Sequence, residues 1–218
     1  MIIDSSYFTN GELFIPNNKD LSAKPLGSPS VKSDLDVFID KYERDLLLNA
    51  LGTTLYDGLI SQFTNGVLKT DAPQKWKDLI DGTNYTINGK THRWDGLRGY
   101  AKQSLLAFYV FCKYMRNNEY TYTTTGVVQN TAKNADNVSG TTKYVKAWQS
   151  FMEQYQDELS SEPRIIFNSM GAIGLDYSGR SNVKVSLYQF LLDANELDDT
   201  AFPEFEFKFY ENENSWGI

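Results

Sequence analysis

His92 and Cys112 are the only histidine and cysteine in the chain, so an imidazole-assisted nucleophile would have to use them. A Ser-His-Asp or Cys-His mechanism needs the ring beside its nucleophile, with a third group orienting it. His92 instead stands beside Arg93 and Trp94 on the second arm of a hairpin pattern, where a solvated or hydrogen-bonded structural role is expected. Cys112 lies in the apolar run between Phe111 and Lys113 and is expected to pack as a small hydrophobe. One histidine and one cysteine also fall short of the ligand set of a structural zinc site. Carboxylates are denser: Asp34, Asp36, Asp40, Glu43 and Asp45 share one helical pattern. Paired acids can hydrolyse glycosidic bonds, but these lie mainly opposite the Leu35/Phe38/Ile39/Tyr42 stripe and read as a solvated face. The acids at 196–199 lack the spacing and glycine of a calcium loop. Met170 to Asp176 (MGAIGLD) lacks the third glycine and the following helix of a dinucleotide fingerprint. No catalytic residue, cofactor or metal is therefore assigned.

The elements around these groups follow from hydrophobic spacing. Ser33 suits an N-cap, with Asp34 and Asp36 in the first turn, where they complement the helix dipole. Leu35, Phe38, Ile39, Tyr42 and Leu46 then recur at helical spacing, and Gly52 closes the helix. Thr54 to Phe63 is a second short helix. Pro73 opens a third, to Ile80, with Trp76, Leu79 and Ile80 facing inward. Asn88-Gly89 between Tyr85-Thr86-Ile87 and Lys90-Thr91-His92 marks a hairpin, because both turn residues tolerate positive φ. A fourth helix is expected from about Leu97 to Arg116, apolar on almost every face between Leu105 and Cys112, so other elements must enclose it. Tyr120–Gly140 is a Thr/Asn-rich loop. Thr141 or Thr142 caps a fifth helix striped by Val145, Trp148, Phe151/Met152, Tyr155 and Leu159.

The two ends differ from this core. Glu12 to Ile15 is a strand candidate stopped by Pro16, and the linker after it carries Pro25, Gly27 and Pro29. This N-terminal segment is either a floppy terminus or an arm that orders against a neighbouring subunit. Beyond Pro163, Ile165 to Phe167 and Val183 to Phe190 read as short strands and loops. Phe205-Glu206-Phe207-Lys208-Phe209 alternates strictly, as a one-faced edge strand behind Pro203 does. The pattern predicts a mainly α fold: a small bundle of about five helices with a β-hairpin, an extended N-terminal arm and a β/loop-rich C-terminal extension. The divisions are an arm and linker over 1–32, a helical core over 33–160 with hairpin 85–94 and loop 120–140, and the extension over 161–218.

Composition narrows the function. With 218 residues and 41% apolar content, the chain can bury a real core. The net charge of −7, with no Lys/Arg cluster, argues against phosphate-driven nucleic-acid binding. It is compatible with a passage through which DNA slides without sticking. The high aromatic content, from 14 Tyr and 13 Phe, suits protein–protein contact. The first residues lack the basic stretch and apolar core of a secretory signal, and no apolar run reaches the ~18 residues of a membrane span. A soluble chain made in the cytoplasm is expected.

An ordered set of residues resembles a known family. It comprises Phe8-Thr9-Asn10-Gly11-Glu12-Leu13-Phe14-Ile15-Pro16, Tyr42-Glu43 to Leu51-Gly52 with Leu55-Tyr56, and Trp76-Lys77-Asp78-Leu79. Trp94-Asp95-Gly96-Leu97, Ala107-Phe108-Tyr109-Val110-Phe111 and Thr125-Gly126-Val127-Val128 follow. Ala132-Lys133-Asn134-Ala135, Val138-Ser139 and Lys146-Ala147-Trp148 complete it. The set, over roughly residues 5–158, is similar to the head–tail connector (neck, or adaptor) proteins of Bacteroides-type and crAss-like tailed phages. These are packing and loop residues rather than a catalytic signature, and 160–218 departs from the family's short form.

The resemblance implies a non-enzymatic virion protein at the neck, assembled in the host cytoplasm. It implies a homo-oligomeric ring, usually twelve-fold, between the portal protein and the next neck or tail protein, with DNA passing through unread. A heterologous ring contact joins two different patches of each protomer. Phe8, Leu13, Phe14 and Ile15 of the arm, Tyr122, Val127 and Val128 of the loop, and Phe205, Phe207 and Phe209 of the edge are the candidate inter-subunit contacts. The alternatives are another ring of the neck stack (a stopper or tail terminator) and a carbohydrate-binding module using the aromatic tail.

Overall fold

The computed structural model describes residues 2–15, 34–64, 66–118, 120–123, 126–129, 140–156, 164–167, 173–176 and 184–211. Among these the chain is mainly helical, with five α-helices and four two-stranded antiparallel hairpins. The first helix, α1 (Asp34–Ile60), buries Leu35, Ile39, Leu46, Leu47, Ala50 and Leu51 at helical spacing. Gly52 (φ 76°, ψ 171°) lies outside the helical region and, as expected, divides this span into a helix on either side of it. Ser33, its expected cap, lies outside the described residues.

A small hairpin, β1 (Phe63–Thr64) with β2 (Val67–Leu68), leads to α2 (Gln74–Asp81), which buries Trp76, Leu79 and Ile80 as expected. The strands β3 (Thr83–Ile87) and β4 (Lys90–Trp94) pair antiparallel with Ile87 opposite Lys90. Asn88 (φ 51°) and Gly89 (φ 74°) form the two-residue turn between them, whose twist matches that of the strands.

The most buried helix, α3 (Leu105–Asn118), starts eight residues later than the periodicity predicts. Ser104 sets that start: it is fully buried, and its hydroxyl accepts from the Ala107 N–H at 3.2 Å. Ahead of it, Leu97 and Arg98 donate to the carbonyls of Leu79 and Ile80, both at 3.0 Å. Gly99 (φ 65°), Ala101 (φ 53°) and Lys102 (φ 64°) then take left-handed angles, so no helix runs on from 97. From Leu105 to Cys112 every residue is at most 4% exposed, which confirms the enclosure that its apolar faces require.

Part of the expected loop at 120–140 is a hairpin, β5 (Tyr120–Thr123) paired with β6 (Gly126–Gln129). The fifth expected helix is α4 (Gly140–Tyr155), with Trp148, Phe151, Met152 and Tyr155 buried and Val145 half-buried. Leu159 lies outside the described residues. The strands β7 (Arg164–Phe167) and β8 (Ile173–Asp176) pair antiparallel.

Three expectations are corrected. Within the short strands and loops expected over Val183 to Phe190, residues 187–190 are instead helical: Ser186 caps α5 (Leu187–Leu197), accepting from the Gln189 N–H at 3.2 Å. Its Leu187, Phe190 and Leu191 fill the core at i, i+3 and i+4. Glu12 to Ile15 is not a strand, because a 3-10 turn occupies Gly11–Leu13. Among the described residues, Phe205 to Phe209 has no paired strand beside it.

One hydrophobic core runs from Ile2 to Phe202, with Phe205, Phe207 and Tyr210 packed against it. The expected boundary at 161 therefore does not separate two cores.

Candidate functional site

The His92 ring sits 5.8 Å from that of Tyr85, its cross-strand partner on the hairpin. Tyr85 donates to Asp193 Oδ2 at 2.6 Å, and Gln189 Nε2 donates to Asp193 Oδ1 at 2.6 Å. Burial, and then the Asp193 carboxylate, push the Tyr85 hydroxyl well above its ordinary range. Through Tyr85 and the buried Asp193, which Gln189 also holds, α5 is tied to β3. Asp95 anchors the same junction, receiving Arg93 Nε at 2.7 Å and Lys184 Nζ at 2.8 Å. Burial raises its pKa, but the bonds from Lys184 and Arg93 outweigh that and hold the carboxyl below its ordinary value.

Between α2, β3 and α5 lies a cleft of about 390 Å³ with Tyr85, Phe190 and Phe202 on its wall. Lys75 at its edge donates to the carbonyls of Ala201 (2.7 Å) and Thr200 (3.2 Å). Its ammonium also stands 5.3 Å from the Trp76 ring centre. Asp78, also on the lining, accepts from Gln74 Nε2 at 2.8 Å. Lys75 thus ties α2 to the segment after α5, while the Gln74–Asp78 bond lies within α2. Among the described residues no group of three or more His, Cys, Asp or Glu is placed to hold a metal ion.

The acids of α1 are not all a solvated face. Glu43 is only 5% exposed; both its oxygens accept from the Ile2 N–H (2.9 and 2.8 Å), and Oε2 also accepts from the Ile3 N–H at 3.1 Å. Burial raises its pKa and those N–H bonds oppose the rise, with burial dominant. The signal was present in the sequence: position 43 continues the buried series 35, 39, 46, 50 of α1.

The candidate contact residues divide sharply. Phe8 (0%), Leu13 (3%) and Ile15 (1%) fill the chain's own core, which corrects the reading of this segment as an arm awaiting a neighbour. Phe14 is 44% exposed, and its carbonyl accepts from Lys143 Nζ at 3.2 Å. Tyr122 pairs with Val127, and Val128 with Thr121, across the β5–β6 hairpin; the side chains of Tyr122, Val127 and Val128 lie outside the described residues. Phe205 and Phe207 are half-buried and Phe209 is 55% exposed.

That last group forms an aromatic edge. Tyr188 of α5 meets Phe207 and Phe209, each at 4.9 Å between ring centres, and Phe205 at 6.2 Å. Phe207 stacks on the buried Tyr155 at 4.4 Å. Tyr210 turns inward to Tyr155 (5.3 Å), Phe151 (5.6 Å) and Trp148 (6.0 Å). Backbone bonds fasten the segment: the Lys208 N–H donates to the Asn49 carbonyl at 2.7 Å, and Tyr155 donates to the Lys208 carbonyl at 3.0 Å. Gln156 brackets Tyr210, accepting from its N–H at 2.8 Å and donating to its carbonyl at 2.9 Å.

Residues 47–162, more than half of the chain, match the model of DUF6712, described as a family of unknown function. The chain belongs to this family. No curated protein and no solved structure matches the chain. The DUF6712 span starts within α1 and ends beyond α4. It holds Asn49, Tyr155 and Gln156, which grip the aromatic edge, while the edge itself lies outside it.

Proposed function

We propose that the chain is a structural virion protein: a head–tail adaptor that forms a ring between portal and tail around the DNA channel. One observation carries the reading. Where they are described, many of the resembling residues are buried framework positions. The Trp94 indole donates to the Leu79 carbonyl at 3.1 Å, the Leu97 N–H donates to the same carbonyl at 3.0 Å, and Trp76, Ala107–Phe111 and Trp148 are all buried. A likeness at such positions is one of framework, and it fits a chain whose work is assembly. The net charge of −7 fits a passage that does not hold DNA by its phosphates. A heterologous ring requires two separate patches on each protomer.

Native mass spectrometry across protein concentration and salt, with and without the cognate portal protein, tests this. A closed ring of about twelve subunits, alone or nucleated by portal, is the expected result. A monomer that ignores portal at every concentration overturns it.

A further inference from the structure

Phe205 to Tyr210 behaves as half of a β-ladder. Ring centres of Phe205 and Phe207 lie 6.4 Å apart and those of Phe207 and Phe209 5.2 Å apart, the two-residue repeat of an extended chain. In such a chain the N–H and C=O of alternate residues point to opposite sides. The groups of Lys208 and Tyr210 point inward and are satisfied by Asn49, Tyr155 and Gln156. The groups of Phe205, Phe207 and Phe209 point outward, and among the described residues they meet no hydrogen-bond partner. An exposed apolar surface accompanies this open edge, with Phe209 55% and Leu192 40% exposed.

We propose that Phe205–Phe209 is a docking edge that receives an extended segment of a different protein, alternating apolar and Lys/Arg residues, by strand addition. Main-chain bonds to alternate residues supply affinity in this mode, and the flanking side chains supply choice. Charge selects the partner. Glu204, Glu206 and Glu211 are exposed on the segment itself, against one exposed Lys208. A second copy would bring the same acids against these, whereas a basic strand is drawn in. Charges also guard natural strand edges against aggregation, but a guarded edge does not keep an apolar ring such as Phe209 uncovered beside it. The proposal does not rest on ring assembly: an edge on a monomer would bind equally.

Fluorescence anisotropy with a labelled ten-residue peptide alternating Val and Lys, added to the full-length protein, tests it. N-methylation of every second peptide residue is expected to weaken binding at least about tenfold in one register and little in the other, because only one set of N–H groups faces the edge. Replacing the lysines by glutamates is expected to abolish binding. Phe209→Pro removes an outward N–H and is expected to weaken binding more than Phe209→Ala, with circular dichroism confirming that both fold. Equal effects in the two N-methyl registers, or no binding of the unmodified peptide, overturn the proposal. Self-association that Phe209→Pro alone abolishes would give the edge to a second copy and overturn the choice of partner. None of these readouts depends on the portal, so failure here leaves the ring test standing, and the reverse.

Discussion

A single carboxylate decides how residues 2–15 are held. Glu43 reaches from the middle of α1 to the Ile2 and Ile3 amides, so the segment is fastened at its start as well as by Phe8, Leu13 and Ile15. Glu43→Gln turns an amide toward donors and leaves a buried N–H without its acceptor, and is expected to cost about 1–3 kcal/mol. The pH dependence has a defined sign. Burial raises the Glu43 pKa above its ordinary 4.5, so the folded chain holds this proton more tightly than the unfolded one. Its stabilising contribution is complete below about 4.5 and declines as pH rises through the folded value. The advantage of the native protein over Glu43→Gln should narrow as pH rises, as measured by urea unfolding at several pH values. A gap that widens instead would mean that the N–H bonds outweigh burial. Sequence placed Glu43 among solvated acids because charge was weighed before position; its place in the buried series was legible, but its partner forty residues away was not.

At the scale of elements, the crossing of α2 and β4 is the tightest constraint. Gly96 (φ 80°) lies so close to the end of α2 that an added Cβ would stand 2.5 Å from the Ile80 carbonyl oxygen and the Gly82 nitrogen. Gly89 in the hairpin turn has a similar φ of 74° but open space around it. Gly89→Ala should cost about 1–2 kcal/mol for backbone conformation alone, while Gly96→Ala should cost about 3 kcal/mol or more because backbone must also move. Comparing urea midpoints of the two variants separates conformation from crowding; equal losses would refute the crossing argument. Helices α1, α2 and α4 were legible because their stripes are local and regular. The start of α3 was not, since left-handed angles at Gly99, Ala101 and Lys102 interrupt the chain ahead of it. α5 was missed because its Ser186 cap and Leu187/Phe190/Leu191 stripe follow strand-like residues. The alternation at 205–209 was read correctly as one-faced, but alternation does not say whether a neighbouring strand exists.

For the whole molecule, the helical unit expected at 33–160 shares its core with the segments on both sides. It lacks Ile2, Ile3, Phe8, Leu13 and Ile15 on one side and Leu187, Phe190, Leu191 and Phe202 on the other, all of them core residues. Trp94 would lose the stacked Phe190, 5.4 Å away, and Trp76 the edge of Phe202 at 5.6 Å. A fragment of residues 33–160 is expected to show helical far-ultraviolet dichroism without a cooperative calorimetric transition. A sharp transition matching that of the full chain would show that the flanking segments are dispensable. The composition shift near 163 was visible in the sequence, but it marks a change of element type and not a boundary between cores.

Helix α1 is gripped from both directions of the chain: Glu43 holds Ile2 and Ile3, and Asn49, less than two turns on, holds Lys208 and Tyr210. This arrangement has a consequence for synthesis. The helix emerges early from the ribosome with its first partner already made, yet its last partner is about 160 residues away and still untranslated. Closure of the core must await residue 210, so folding is completed after, and not during, most of translation. A nascent chain cannot present the aromatic edge before its own interior is finished, which keeps unfinished chains out of any assembly built on that edge.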